Sequence, residues 1–182
     1  MELETELFIE QLRKGDRAAC QRLVGDLGPS VFQMVRRIVE RQEDAEDVWQ
    51  DVFVKALRGI GSYDSRKASL STWLCRIAYH ESLNFVRTRR PDIVYMDEHE
   101  LGLNSLDDTP EEGTNDSHTV QALEEALEML PPHEQAVITM FYYDNMSLAD
   151  IAYVTGSIPS TVGSQLSRIR KKLYRIIKTM RV

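Results

Sequence analysis

Cysteine is nearly absent: Cys20 and Cys75 are the two in 182 residues. They lie far apart, each within an apolar helical pattern, which excludes a disulfide framework and a CxxC metal or redox motif and makes both packing residues. No apolar run approaches the roughly 18 residues that cross a bilayer as a helix. The opening stretch MELETELFIEQ is acidic, the wrong sign for a secretory signal, so the expected compartment is the cytoplasm, with no membrane insertion. Strand-like alternation of any length is missing as well. There is no GxxxxGK phosphate loop, no HExxH and no cluster of metal ligands, and the four histidines (His80, His99, His118, His133) are scattered. His80 and Glu81 are neighbours but leave a helix on different faces, so they do not converge on a substrate. The expectation is a protein that is not an enzyme and uses no metal and no cofactor.

Basic residues are missing from one long stretch and acidic ones from another. Met96 to His118 carries eight acids and no Lys or Arg, whereas no acid follows Asp150 and all seven bases of the second half lie between Arg168 and Arg181. The net charge of -7 therefore hides a local cation at the C-terminus. The acidic stretch MDEHELGLNSLDDTPEEGTNDSH has few large apolar residues and several turn formers, and reads as an extended linker between two lobes.

On both sides of it apolar residues recur at three and four, which predicts an all-α protein of two small helical domains. In the first, Phe8 and Leu12 suggest a helix ended by Gly15, and Ala19, Leu23, Val24 and Leu27 a second ended near Gly28-Pro29. Val31, Phe32, Val35, Ile38 and Val39 suggest a third; Ala45, Val48, Trp49, Val52, Phe53 and Ala56 form the regular stripe of a fourth. A fifth runs from about Leu70 to Arg90, with Leu74, Ile77, Ala78 and Phe85 inward. In the second domain Leu123, Ala126, Leu127 and Leu130 end at Pro131-Pro132, and Val137, Ile138 and Phe141 end at Asp144-Asn145.

The stretch SLADIAYVTGSIPSTVGSQLSRIRKKL (147 to 173) completes four helices there and reads as a helix-turn-helix. Ser147 with Asp150 makes a weak capping box, Gly156 permits a left-handed turn, and Pro159 suits the first turn of the next helix. Val162, Leu166, Ile169, Leu173 and Ile176 then share a face, opposite Ser160, Ser164, Ser167, Arg168, Lys171 and Arg175. Small hydroxyls first and cations later suit a helix whose N-terminal half enters the major groove while its C-terminal half meets phosphates. The plainer alternative is an amphipathic helix with a solvated basic face.

The pairing of DAEDVWQDVFVKAL (44 to 57) and STWLCRIAYHESLNFVRTRR (71 to 90) with the second-lobe stretch from ALEMLPPHEQ through the helix-turn-helix resembles bacterial extracytoplasmic-function sigma factors of the sigma-70 family. The resemblance covers nearly the whole chain except the linker. It implies that residues 1–91 bind core RNA polymerase and read and melt the -10 element, that 92–118 link, and that 119–182 read the -35 element.

Residue by residue, the resemblance implies that Asp44, Asp47, Gln50, Asp51 and Lys55 dock on the polymerase clamp helices; an ordinary solvated face is the alternative. For the -10 element it implies Lys67, Ser69, Trp73, Arg76, Tyr79, His80, Asn84 and Arg87. Taking Leu74 as the centre of the buried face puts Arg76, Tyr79, His80, Leu83, Arg87 and Arg90 outside, with Trp73 at the flank. Rings among cations suit single-stranded DNA, whose unstacked bases gain about 1–3 kcal/mol each on such platforms. A place in the core is the alternative for Trp73. In relatives the loop from Tyr63 to Ser71 holds a flipped base. For the -35 element the resemblance implies Ser160, Thr161, Ser164, Gln165, Arg168, Lys171 and Lys172. This chain departs from the family pattern at Gly163 and Gln165, where relatives often carry Lys or Arg, which implies fewer or different base contacts there.

The 28 residues from Pro91 to His118 give a mean span of about 30 Å and a limit of about 90 Å. The two readers therefore reach separated elements, but only a scaffold such as polymerase sets their spacing. The linker's charge repels DNA and suits a basic polymerase channel, a solubilising tether being the alternative. Expected partners are core polymerase, through its clamp helices and flap tip (the latter near 133 to 143), and promoter DNA. The resemblance adds an anti-sigma factor, which no residue here reveals. The runner-up is a free-standing helix-turn-helix regulator, which would use the second lobe alone and leave the first unexplained.

Overall fold

The computed structural model describes residues 2–89 and 117–180, and every described element is helical. The first lobe comprises α1 (Glu2–Arg13), α2 (Arg17–Arg36), α3 (Gln42–Gly59), a single 3-10 turn (Ile60–Ser62) and α4 (Leu70–Arg89). The second comprises α5 (Ser117–Glu128), α6 (Pro132–Tyr142), α7 (Leu148–Thr155) and α8 (Pro159–Met180). The expected linker lies outside the described residues, except that Ser117 and His118 already belong to α5.

Local signals set most of the boundaries. Gly15 takes φ of +71°, which a glycine adopts without strain, and Asp16 then starts α2 by accepting the Ala19 N–H at 2.8 Å. One boundary differs from expectation: α2 runs straight through Gly28-Pro29, so the first lobe has four α-helices rather than five. A proline inside a helix normally costs about 3 kcal/mol. Here the indole of Trp49 packs onto Gly28, where a Cβ would sit only 3.3 Å from its Cζ2, and Nε1 donates to the Gly28 carbonyl at 2.9 Å. That contact, made across from α3, offsets part of the loss. The chain leaves the helix at Arg36 instead, and Ile38 and Val39 are buried in the connection.

The α3 stripe is buried as its spacing requires: Ala45, Val48, Val52, Phe53 and Ala56 face α2 and α4. In α4, Leu74 and Ala78 are fully buried. The second lobe closes on Ala136, Val137, Ile138 and Met140 of α6, Ile151, Ala152 and Val154 of α7, and Val162, Leu166, Ile169 and Leu173 of α8. Packing does not stop at the lobe boundary, because α4 lies directly against α7.

Candidate nucleic-acid and polymerase interfaces

The second lobe holds a helix-turn-helix built as its sequence indicates. Ser147 accepts the Asp150 N–H at 3.1 Å while its hydroxyl donates to the Asp150 carboxylate at 2.6 Å. Gly156 ends α7 at φ of +77°, and Pro159 opens α8. The apolar stripe of α8 is sunk in the lobe, which turns Ser160, Thr161, Ser164, Arg168 and Lys171 outward; Gln165 is half-buried. Ser164 donates to the Ser160 carbonyl at 3.1 Å, so its hydroxyl is partly engaged within the helix. Lys172 departs from its expected role. Its Nζ donates to Glu134 Oε2 at 2.9 Å, and Glu134 is only 3% exposed, so this lysine ties α8 to α6 rather than standing free for phosphate. The ion partner lies 38 residues away, which no helical periodicity reveals.

On α3, Asp47, Gln50 and Asp51 are exposed at successive turns. Asp44 and Lys55, by contrast, brace α3 against α4. Arg89 Nη1 donates to Asp44 Oδ1 at 2.8 Å, and Lys55 pairs with Glu81. The outer face has a member that sequence reasoning missed: Val54 is 45% exposed one turn beyond Gln50 and Asp51. Its signal was an apolar residue lying off the buried stripe among charges.

The α4 surface differs most from expectation. Lys67, Ser69, Asn84 and Arg87 are exposed, with Arg87 donating to Asn84 Oδ1 at 3.1 Å. The Ser69 hydroxyl caps α4 by accepting the Thr72 N–H at 3.1 Å. Between these rims the surface is closed. Trp73 is 8% exposed and packs on Tyr63 at 5.4 Å between ring centroids; Tyr79 is 6% exposed. The expected outward placement of Tyr79 is therefore corrected, and Trp73, expected at the flank, takes its alternative place in the core. A 20-residue helix packed on α2, α3 and α7 buries more than one face, so a single-stripe projection misplaces its flanks.

Arg76 and His80 are covered by the second lobe. The Arg76 guanidinium donates to the Tyr153 carbonyl and lies 5.1 Å above the Tyr153 ring; His80 faces the neighbouring Val154 carbonyl. These are among the last carbonyls of α7, which lack partners within their own helix, and they sit at the negative end of its dipole. Burial, then the Arg76 charge, pushes the His80 imidazole below its ordinary range, so it is neutral at neutral pH. Its Nε2 is buried without a hydrogen bond. Around this core Thr72 reaches Asp150 at 3.4 Å, and Arg37 forms a forked pair with Asp144 at 2.6 and 3.1 Å. Arg37, Asp144, Asp150 and Tyr153 carry no local signal of this role, since their partners lie 77 to 107 residues away.

The loop ahead of α4 is internally braced. The Tyr63 hydroxyl donates to the Ala68 carbonyl at 3.1 Å, and Arg66 holds Asp64 at 3.0 Å, which lowers that carboxyl to about 2. No group of three or more metal-ligating side chains and no helix long and apolar enough to cross a membrane occurs among the described residues.

Comparison with known proteins matches this arrangement twice. The sigma-70 region 2 family matches residues 23–91, and the sigma-70 region 4 family matches residues 120–173. The chain is 30% identical over 187 residues to the ECF RNA polymerase sigma-E factor of Haemophilus influenzae, covering 98% of each protein. It is 26% identical over 189 residues to the ECF RNA polymerase sigma factor SigW of Bacillus subtilis, covering 99% of this chain and all of that one. In fold it is similar to CnrH, solved in complex with the cytosolic domain of CnrY, with a TM-score of 0.66, 22% identity and coverage of 95% and 96%. It is similar also to the sigma factor RpoE of Bartonella quintana, solved with the anti-sigma factor NepR, with a TM-score of 0.61, 24% identity and coverage of 87% and 95%.

Proposed function

Since the chain belongs to the extracytoplasmic-function sigma factors of the sigma-70 family and directs promoter-specific initiation by RNA polymerase, we propose how its surfaces divide that work. Residues 1–91 act as the polymerase-binding and -10-reading domain, 92–118 as an acidic tether, and 119–182 as the -35 reader. The protein acts in the cytoplasm and supplies binding energy and positioning, with no catalytic step of its own.

On α8, Ser160, Thr161 and Ser164 meet base edges, Gln165 reaches the same groove from a half-buried position, and Arg168 and Lys171 meet phosphates. Lys172 contributes by holding α8 on α6. On α3, Asp47, Gln50, Asp51 and Val54 form the patch offered to the clamp helices, a charged surface around one apolar contact, which favours steering and register over raw affinity. Asp44 and Lys55 act through the brace to α4. The flap tip is met by α6 and its neighbours. On α4, Arg76 and His80, with Lys67, Asn84 and Arg87 at the rims, take the melted strand. Trp73 and Tyr79 support this face from beneath, and Ser69 acts by capping α4. An anti-sigma factor is a further partner by family analogy.

One observation carries the reading: hydroxyl residues stand exposed on the first turns of the second helix of a helix-turn-helix, followed by exposed cations, in a chain whose other lobe matches the sigma-70 region 2 family. A free-standing regulator leaves that other lobe without a task. The test is run-off transcription from a genomic promoter library by the cognate core enzyme, with and without the protein. Selective new start sites are expected; an unchanged transcript set would overturn the reading. Affinity capture from the native cell, followed by identification of bound proteins, tests for polymerase and an anti-sigma factor.

A further inference from the structure

The start of α8 departs from two local rules at one residue. Ile158 immediately precedes the helix and its carbonyl accepts the Val162 N–H at 3.2 Å, so it stands at the N-cap. Serine, threonine, asparagine and aspartate stabilise that position with a side-chain oxygen, and isoleucine has none to offer. The preceding hydroxyl is engaged elsewhere: Ser157 Oγ lies 2.8 Å from Thr155 Oγ1 at the end of α7. Nor does Ile158 serve the core. It is 61% exposed, in a run from Gly156 to Thr161 that is exposed throughout. A local rule broken with no gain to the fold points to function.

We propose that Ile158 is a specificity-determining residue of the -35 reader, which recognises the 5-methyl group of a thymine in the major groove. The inference rests on the reading of α8 given above. Ile158, Thr161, Gln165 and Arg168 follow one another at helical spacing along one side of α8, so aliphatic methyls come first, then a hydroxyl, an amide and a cation. In the major groove the thymine methyl is the apolar mark on a base-pair edge, and aliphatic groups meet it by contact alone. That contact removes apolar surface of both partners from water. Cytosine presents an amino group instead, which the isoleucine would desolvate without a hydrogen bond. The same side chain therefore favours one base and penalises another. Its neighbours Ser160 and Thr161 are small hydroxyl residues assigned to base edges, which favours the groove over a protein partner.

The test uses holoenzyme assembled from cognate core enzyme and the full chain, on promoters that the run-off library yields. Each thymine of the -35 duplex, on either strand, is replaced singly by deoxyuridine, which removes the methyl group and leaves base pairing intact. Initiation at limiting holoenzyme is compared for the parent, Ile158→Ser and Ile158→Val. With the parent, one such replacement is expected to lower initiation about fourfold. With Ile158→Ser the same replacement is expected to change nothing, and Ile158→Val is expected to keep the sensitivity. Serine also caps α8, so Ile158→Ser is expected to unfold at a higher urea concentration than the parent while its discrimination falls. A fall in the urea midpoint would place Ile158 in the fold and overturn the proposal.

Equal deoxyuridine sensitivity in parent and Ile158→Ser overturns it as well, as does a parent that tolerates deoxyuridine at every position. Weaker binding of Ile158→Ser to core enzyme, with thymine recognition kept, makes the residue a protein contact and overturns the assignment. Scrambling the whole -35 duplex separates these failures from failure of the underlying reading. If scrambling abolishes initiation, α8 reads the element and only the role of Ile158 is wrong; if it changes nothing, the assignment of α8 falls with it.

Discussion

The α4 and α8 surfaces share a chemistry of cations among smaller polar and aromatic groups, yet one is covered and the other open. The difference suits the two tasks proposed for them. A base edge in duplex DNA is presented in the major groove without deformation, so hydroxyls and cations on an exposed helix suffice. An unpaired base must first be unstacked at a cost of a few kcal/mol, and the rings and cations that repay it form a surface poorly suited to water. In α4 those groups are satisfied internally: Trp73 against Tyr63, Arg76 and His80 against the end of α7. Both are the same kind of helix, and the neighbour packed on each makes the difference.

The largest expected effect tests whether Trp73 belongs to the fold or to the DNA site. Trp73→Ala leaves a cavity beside Tyr63 and is expected to destabilise the protein by about 3 kcal/mol in urea unfolding. A variant of unchanged stability that fails to open promoters would return Trp73 to the reading surface. On α8, Lys172→Ala strands the Glu134 carboxylate. It is expected to cost about 2 kcal/mol, less than a wholly buried pair because Lys172 is itself well exposed. Arg168→Ala should cost less stability than Lys172→Ala and lower the slope of log affinity for -35 duplex against log salt by about one. Equal stability losses would erase the distinction between the two cations.

Gly156→Ala forces a side chain into the left-handed region at φ of +77° and is expected to cost about 1 kcal/mol, with weaker duplex binding because the two helices of the reader lose their angle. The smallest effect concerns pH. His80 faces Arg76 and Glu81 of its own helix, Lys55 of α3 through Glu81, and the Val154 carbonyl of α7. Its imidazole is held below its ordinary range when the lobes are closed, so the closed form binds fewer protons than the open one. Packing of α7 on α4 is therefore expected to weaken as pH falls below the ordinary histidine range. Scattering should show a modest enlargement on acidification, absent in His80→Phe.

What the sequence displayed follows the range of the interactions. The α3 stripe, the Ser147 cap, the Gly156 turn and the alternation of buried and exposed residues in α8 depend on neighbours within one or two turns. Each was legible. The continuation of α2 through Pro29 was not, because the compensating group is Trp49 on another helix. The two pairings that alter the functional picture, Lys172 with Glu134 and Arg37 with Asp144, join residues far apart in the chain. For α4 the composition showed that rings and cations shared a helix; which of them solvent reaches was set by Tyr63 in the case of Trp73 and by a helix of the other lobe in the case of Arg76 and His80.

The central claim is that α4 holds the melted strand in the assembled polymerase. The most direct measurement is permanganate reactivity of promoter thymines in complexes formed with parent and Arg76→Ala proteins, alongside the affinity of each for core enzyme. Equal affinity for core and loss of thymine reactivity are expected in the variant. Unimpaired reactivity with Arg76 removed would contradict it.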